Sequence, residues 1–133
     1  MSKLLTSLFL GVVILVSCQK AKMDVPETYS RDLEGKWRYT EKYYSDGSRT
    51  HYESTLNLNQ WVVFNADSSF SSNMPALESF VKYSIVDSFT LKLTSAAQQE
   101  GRYLFHVDSL QNSLSLSSLD FLCIEGCGDI FKK

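Results

Sequence analysis

The residues that could do chemistry are few and scattered. His51 stands in a polar stretch beside Arg49 and Glu53, and His106 alternates outward between Leu104 and Asp108. Neither adjoins a nucleophile or a cluster of metal-ligating side chains, so general-base and metal chemistry both lack a second member. No catalytic residue, metal ligand or cofactor is assigned, and a non-enzymatic role is expected. The thiols are Cys18, Cys123 and Cys127. Cys123 and Cys127 are not spaced as the Cys-x-x-Cys of redox and zinc motifs, and no histidine lies near them in sequence. In an oxidising compartment they form an expected disulfide that pins the C-terminal strand or turn, with free thiols or redox chemistry as the alternatives. The remaining candidates are aromatic. Trp37, Tyr39, Tyr43, Trp61, Phe64, Tyr83 and Phe105 are the set that would line an apolar cavity with tyrosine hydroxyls as polar handles, or else simply pack a core. Glu41 interrupts their row, either as an interior carboxylate tuned by burial or as a strand end meeting solvent.

These side chains need elements to hold them, and period-2 alternation supplies strands. Trp37, Tyr39 and Tyr43 fall on one face, with Arg38, Thr40 and Lys42 on the other. Asp46-Gly47 suits a tight turn, and the return strand puts Tyr52, Leu56 and Leu58 on one face. Trp61-Val62-Val63-Phe64 is apolar on both faces. Val81, Tyr83 and Ile85 pair naturally with Phe89, Leu91 and Leu93 across Asp87-Ser88. Tyr103, Phe105 and Val107 form a further inner row, followed after Gln111-Asn112 by Leu114 and Leu116. At Ser117-Ser118 the apolar phase slips, which calls for a bulge or a strand break. Residues 71 to 79 are irregular and read as a helical turn after Pro75 or a loop at a barrel mouth. Short strands with frequent turns indicate an all-β, antiparallel, up-and-down meander closing into a small barrel.

Before these strands lies a different kind of sequence. Lys3, the apolar run from Leu4 to Val16 and small Ser17 follow the order of a secretory signal peptide. The run falls short of the ~20 residues that span a bilayer. Polar residues with Pro26 then read as a flexible tether. The chain divides into a signal (1–17), a tether (18–32) and one β domain (33–133). Losing Lys3 with the signal moves the formal net charge from −2 to −3. That balance, with no basic run, gives no argument for nucleic acid or an anionic membrane surface as a partner.

Two resemblances add to this reading. Leu15-Val16-Ser17-Cys18 resembles the lipobox of bacterial lipoproteins, which implies that Cys18 is acylated, palmitate among its chains, and becomes the first mature residue. Each buried acyl CH₂ contributes about 0.8 kcal/mol, so several chains anchor durably. Gln19 in place of aspartate implies the outer membrane, and the absence of an acidic run in residues 20 to 24 implies a periplasm-facing domain. Gly35-Lys36-Trp37 resembles the Gly-x-Trp of lipocalins. With the lipobox, the paired terminal cysteines and Phe131-Lys132, the chain from Leu33 to Lys133 resembles the small lipocalin-like lipoproteins of Bacteroidetes. That family implies a lipocalin-like barrel with Trp37 plugging its base, binding a small hydrophobic or amphipathic ligand. An envelope interaction protein, as complex subunit or hydrolase inhibitor with a filled barrel, is the alternative.

Overall fold

Alternation of inward apolar and outward polar side chains makes each segment a wall strand, because successive side chains point to opposite faces. The computed structural model describes residues 31–121, 123 and 126–133. The signal, Cys18 and the tether up to residue 30 lie outside the described residues. The strands are β1 (Gly35–Ser45), β2 (Thr50–Ser54), β3 (Trp61–Phe64), β4 (Phe70–Ser72), β5 (Phe80–Ile85), β6 (Thr90–Ser95), β7 (Glu100–Asp108), β8 (Ser113–Ser118) and β9 (Cys127–Lys132).

All pairings are antiparallel. β2 and β3 lie along the same edge of β1, Glu41 to Ser45 pairing with β2 and Gly35 to Arg38 with β3. They act as one wall strand interrupted by a 3-10 turn at Leu56–Leu58. β9 takes the opposite edge of β1, and the ladder continues through β8, β7 and β6 to β5. The remaining edges, β4 and β5, meet through the Ser69–Lys82 bridge and a 3.0 Å hydrogen bond from the Tyr83 N–H to the Ser68 carbonyl. The result is an up-and-down antiparallel barrel of eight wall positions, nearly closed.

One end is plugged. Leu33 and Trp37 are fully buried there, the Trp37 indole N–H donates to the Leu33 carbonyl at 2.8 Å, and the Lys133 ammonium lies 4.6 Å from the Trp37 ring centroid. Phe64 packs on Phe70 and edge-on against Tyr83, both at 5.1 Å, while Phe131 meets Tyr39 at 5.2 Å. Leu91, Leu93, Leu114 and Leu116 complete the interior.

A β-bulge between Phe80 and Lys82 turns Val81, expected on the inner row, out to solvent, and Phe89, expected inside, is exposed at the end of the hairpin. Three further details depart from simple alternation. First, a β-bulge between Tyr39 and Glu41 makes Thr40 an extra residue in β1. The bulge exchanges the faces of everything after it. Tyr43, expected on the inner row, therefore faces outward with Glu41, while Lys42 and Tyr44 turn inward. Second, Tyr52, Leu56 and Leu58 do not form a buried row: they are exposed, and Thr55 takes the inner position at the break between β2 and β3. Third, the slip after Leu116 is a strand break. β8 ends at Ser118, and Leu119 and Phe121 are exposed.

Candidate functional site

The bulge at Thr40 builds the open end. Beyond it, β1 and β9 pair Lys42 with Asp129 and Tyr44 with Cys127 on the inward face, and Tyr43 with Gly128 on the outward face. The Tyr43 ring can lie over Gly128 because that residue has no side chain. A Cβ there would stand 2.5 Å from the Ser117 hydroxyl and 2.7 Å from the Tyr43 hydroxyl, and these two hydroxyls share a 2.9 Å hydrogen bond. From the opposite side, residues 73–79 fold over the mouth. The Leu77 and Glu78 N–H groups both donate to the Met74 carbonyl, and Met74 and Leu77 are buried.

Between these walls lies a cavity of about 350 Å³. Met74, Ala76, Leu77 and Leu116 supply its apolar surface, Tyr44, Tyr103 and Phe121 its rings, and Asp129 and Lys42 its charges. The Asp129 Oδ1 accepts a 2.5 Å hydrogen bond from the Tyr39 hydroxyl. Burial pushes the Asp129 carboxyl above the ordinary aspartate range, against the pull of the Tyr39 hydrogen bond and the Lys42 charge. The Tyr39 hydroxyl is raised strongly, first by its own burial and then by the hydrogen bond and negative charge of Asp129. Tyr103 is raised too, by burial and then by the charges of Asp120 and Asp129. Lys42 reaches back to β2, where its ammonium sits 2.8 Å from Glu53. That carboxylate holds the lysine above its usual value. Chemically, the mouth is an apolar slot with a part-buried acceptor on its wall.

At the rim, His51 stacks on Tyr44 with centroids 5.0 Å apart, and its Nε2 lies 2.6 Å from Asp46 Oδ2. The other Asp46 oxygen accepts from the Ser48 hydroxyl and from the Ser48 and Arg49 N–H groups. The His51 contact and then these bonds pull the Asp46 carboxyl well below the usual range. The serine hydroxyl is engaged by the carboxylate and not by the imidazole, so the trio caps the β1–β2 turn. His106 is exposed on the outer wall opposite Ser115. Among the described residues, no three His, Cys, Asp or Glu side chains converge on a point where a metal ion would sit.

Cys123 and Cys127 lie at disulfide distance, their Cα atoms 5.7 Å apart. The bond ties the loop after β8 to the first residue of β9, beside the mouth. With a sequence separation of 4, loop closure contributes roughly 2 kcal/mol on the chain-entropy scale. An outer groove runs past it, bordered by Tyr43, Leu104, Leu119 and Phe121.

Of the residues singled out from the sequence, Tyr43 borders the cavity, at its rim. Trp37, Tyr39, Phe64, Tyr83 and Phe105 are buried in the packed part of the barrel. Tyr39 reaches the site only through Asp129. Glu41 and Trp61 lie on the outer wall, Trp61 under the Lys36 ammonium at 4.8 Å. Sequence reasoning missed Lys42, Tyr44 and Asp129. For Asp129 a signal existed, since counting back by two from buried Phe131 places it on the inner face. Comparison with family models, with curated proteins and with solved structures finds no match.

Proposed function

We propose that this chain is a lipid-anchored envelope protein, held through Cys18, whose barrel binds a small amphipathic molecule in the mouth cavity. The observation that supports this reading is the cavity itself: about 350 Å³ between Leu116, Tyr103 and the 73–79 turn, with the Asp129 carboxylate as its polar anchor. A volume of that order suits a compact ligand, and apolar walls with few polar groups are the usual composition of a binding pocket. The packed aromatic half beneath it provides a rigid floor.

The test is native mass spectrometry of the full chain, taken from its own membrane in lipid nanodiscs. Expected are an acyl-modified chain mass and a second, non-covalent mass that leaves on denaturation. Leu116→Phe, which adds volume inside the mouth, should lose that second mass while keeping the first. An empty barrel that stays empty after incubation with envelope lipid extract would sink the carrier reading. An interaction role would then rest on exposed Leu104, Leu119 and Phe121 around the outer groove.

A further inference from the structure

A separate feature lies on the outer wall near the plugged end. Across three neighbouring strands, Lys132, Arg38 and Trp61 stand side by side in one register row. Trp37, Tyr39 and Phe131 are buried, so this row faces outward. Like charges directly opposite one another destabilise a sheet, and here the nearby side chains do not relieve them. Arg38 donates at 3.4 Å to the Leu56 carbonyl, and Lys132 at 3.4 Å to the Gln111 carbonyl. Lys133 makes a bond of the same length to the Asp32 carbonyl. Among the described residues, none of these cations forms an ion pair with a carboxylate. The contrast lies on another wall, where Lys92 faces Arg102 across β6 and β7 and Glu100 sits 3.2 Å from the lysine.

We infer that this face is a docking surface for a bilayer carrying anionic phosphate headgroups. The cations border a groove of about 460 Å³ with Trp61 on its wall, a concave, positively charged place for phosphate oxygens. A free anion would have no use for what stands beside it. Leu56 is 46% exposed and Leu58 51%, on a 3-10 turn that buries none of its residues. Arg38 holds the Leu56 carbonyl, so the cations and the leucines form one unit. A membrane interface satisfies all three at once, with leucines at the acyl boundary, the indole at headgroup level and cations on phosphates. The chain also enters the barrel at this end, through Asp32 beside Lys133. Docking here leaves the mouth uncovered.

The test reads the position of Trp61. The full chain is placed with vesicles of phosphatidylcholine, with or without phosphatidylglycerol, both containing acyl-brominated phosphatidylcholine as quencher. Expected is tryptophan quenching in the phosphatidylglycerol vesicles, lost in high salt, in Arg38→Glu and in Lys36→Glu, and kept in Lys92→Glu. Trp37 is buried, so Trp61→Phe should abolish the quenchable signal. Arg38→Glu faces Lys132 with an opposite charge, and its Tm should equal or exceed the parent's, which separates lost docking from lost folding. Any acyl anchor is common to all the variants, so the difference between them reads the face alone. Equal quenching in both vesicle types, none in either, or quenching indifferent to Arg38→Glu would overturn the inference. So would displacement by inorganic phosphate beyond that caused by chloride of equal ionic strength, which would mark a free-anion site.

Discussion

Asp129 and Thr55 show the two ways an inward-facing barrel position carries a polar group. For Asp129, burial is the largest influence and raises its proton affinity above that of an unfolded aspartate. The native state therefore binds the proton more readily. The ionised carboxylate weakens the fold as pH rises from the ordinary aspartate value through the raised one. Asp129→Asn keeps an acceptor for the Tyr39 hydroxyl and removes the charge. Its Tm at neutral pH should rise by on the order of a few degrees, and the gain should vanish in acid; thermal unfolding across pH measures both. A neutral-pH Tm below the parent's would mean that Lys42 more than offsets burial. Thr55 has no such compensation. Its backbone N–H donates to the Thr40 carbonyl at 2.9 Å, but among the described residues its buried hydroxyl has no partner. Thr55→Val conserves shape and should add about 1 kcal/mol in urea unfolding.

The wall strands owe their inner and outer faces to single-residue events. Gly128 leaves room for the Tyr43 hydroxyl to cross close to the sheet and meet Ser117. Gly128→Ala puts a methyl into those oxygens and into the Leu116 carbonyl, and should cost about 1–3 kcal/mol by displacing the tyrosine; equilibrium unfolding reads the loss, which should shrink in the Tyr43→Ala background. The strands themselves were legible in the sequence: the β5–β6 hairpin pairs Tyr83 with Leu93 and Ile85 with Leu91, as alternation requires. The bulge at Thr40 was not. An extra residue leaves no compositional mark, and its partner strand lies some ninety positions along the chain. Alternation carried past it along β1 puts Tyr43 inside and Lys42 outside, the reverse of the faces they take. The basic face escaped for a related reason. Lys36 and Arg38 sit at one end of the domain sequence and Lys132 and Lys133 at the other, and only the β1–β9 pairing makes them neighbours.

The barrel is strong around most of its circumference and weak at one seam. β9 joins β1 and β8 through long ladders, the first broken only by the bulge at Thr40, whereas β4 and β5 are held by the Ser69–Lys82 bridge and a few flanking bonds. Amide hydrogen exchange should therefore be fastest among the wall strands at β4 and the facing edge of β5, and slowest in β1, β8 and β9. Uniform protection around the ring would show that the seam is as tight as the ladders. The seam also ends beside the 73–79 turn, so its opening would widen the mouth cavity. The pairing of β1 with β9 has a consequence in time as well as in space. The first wall strand to be synthesised waits for the last before both its edges are satisfied, and until then Trp37 and Tyr39 lack the residues that bury them. Such a chain cannot lock early. Any machinery that threads it through a pore meets a pliable polymer until residues 127–132 arrive, and only then does the ring snap shut.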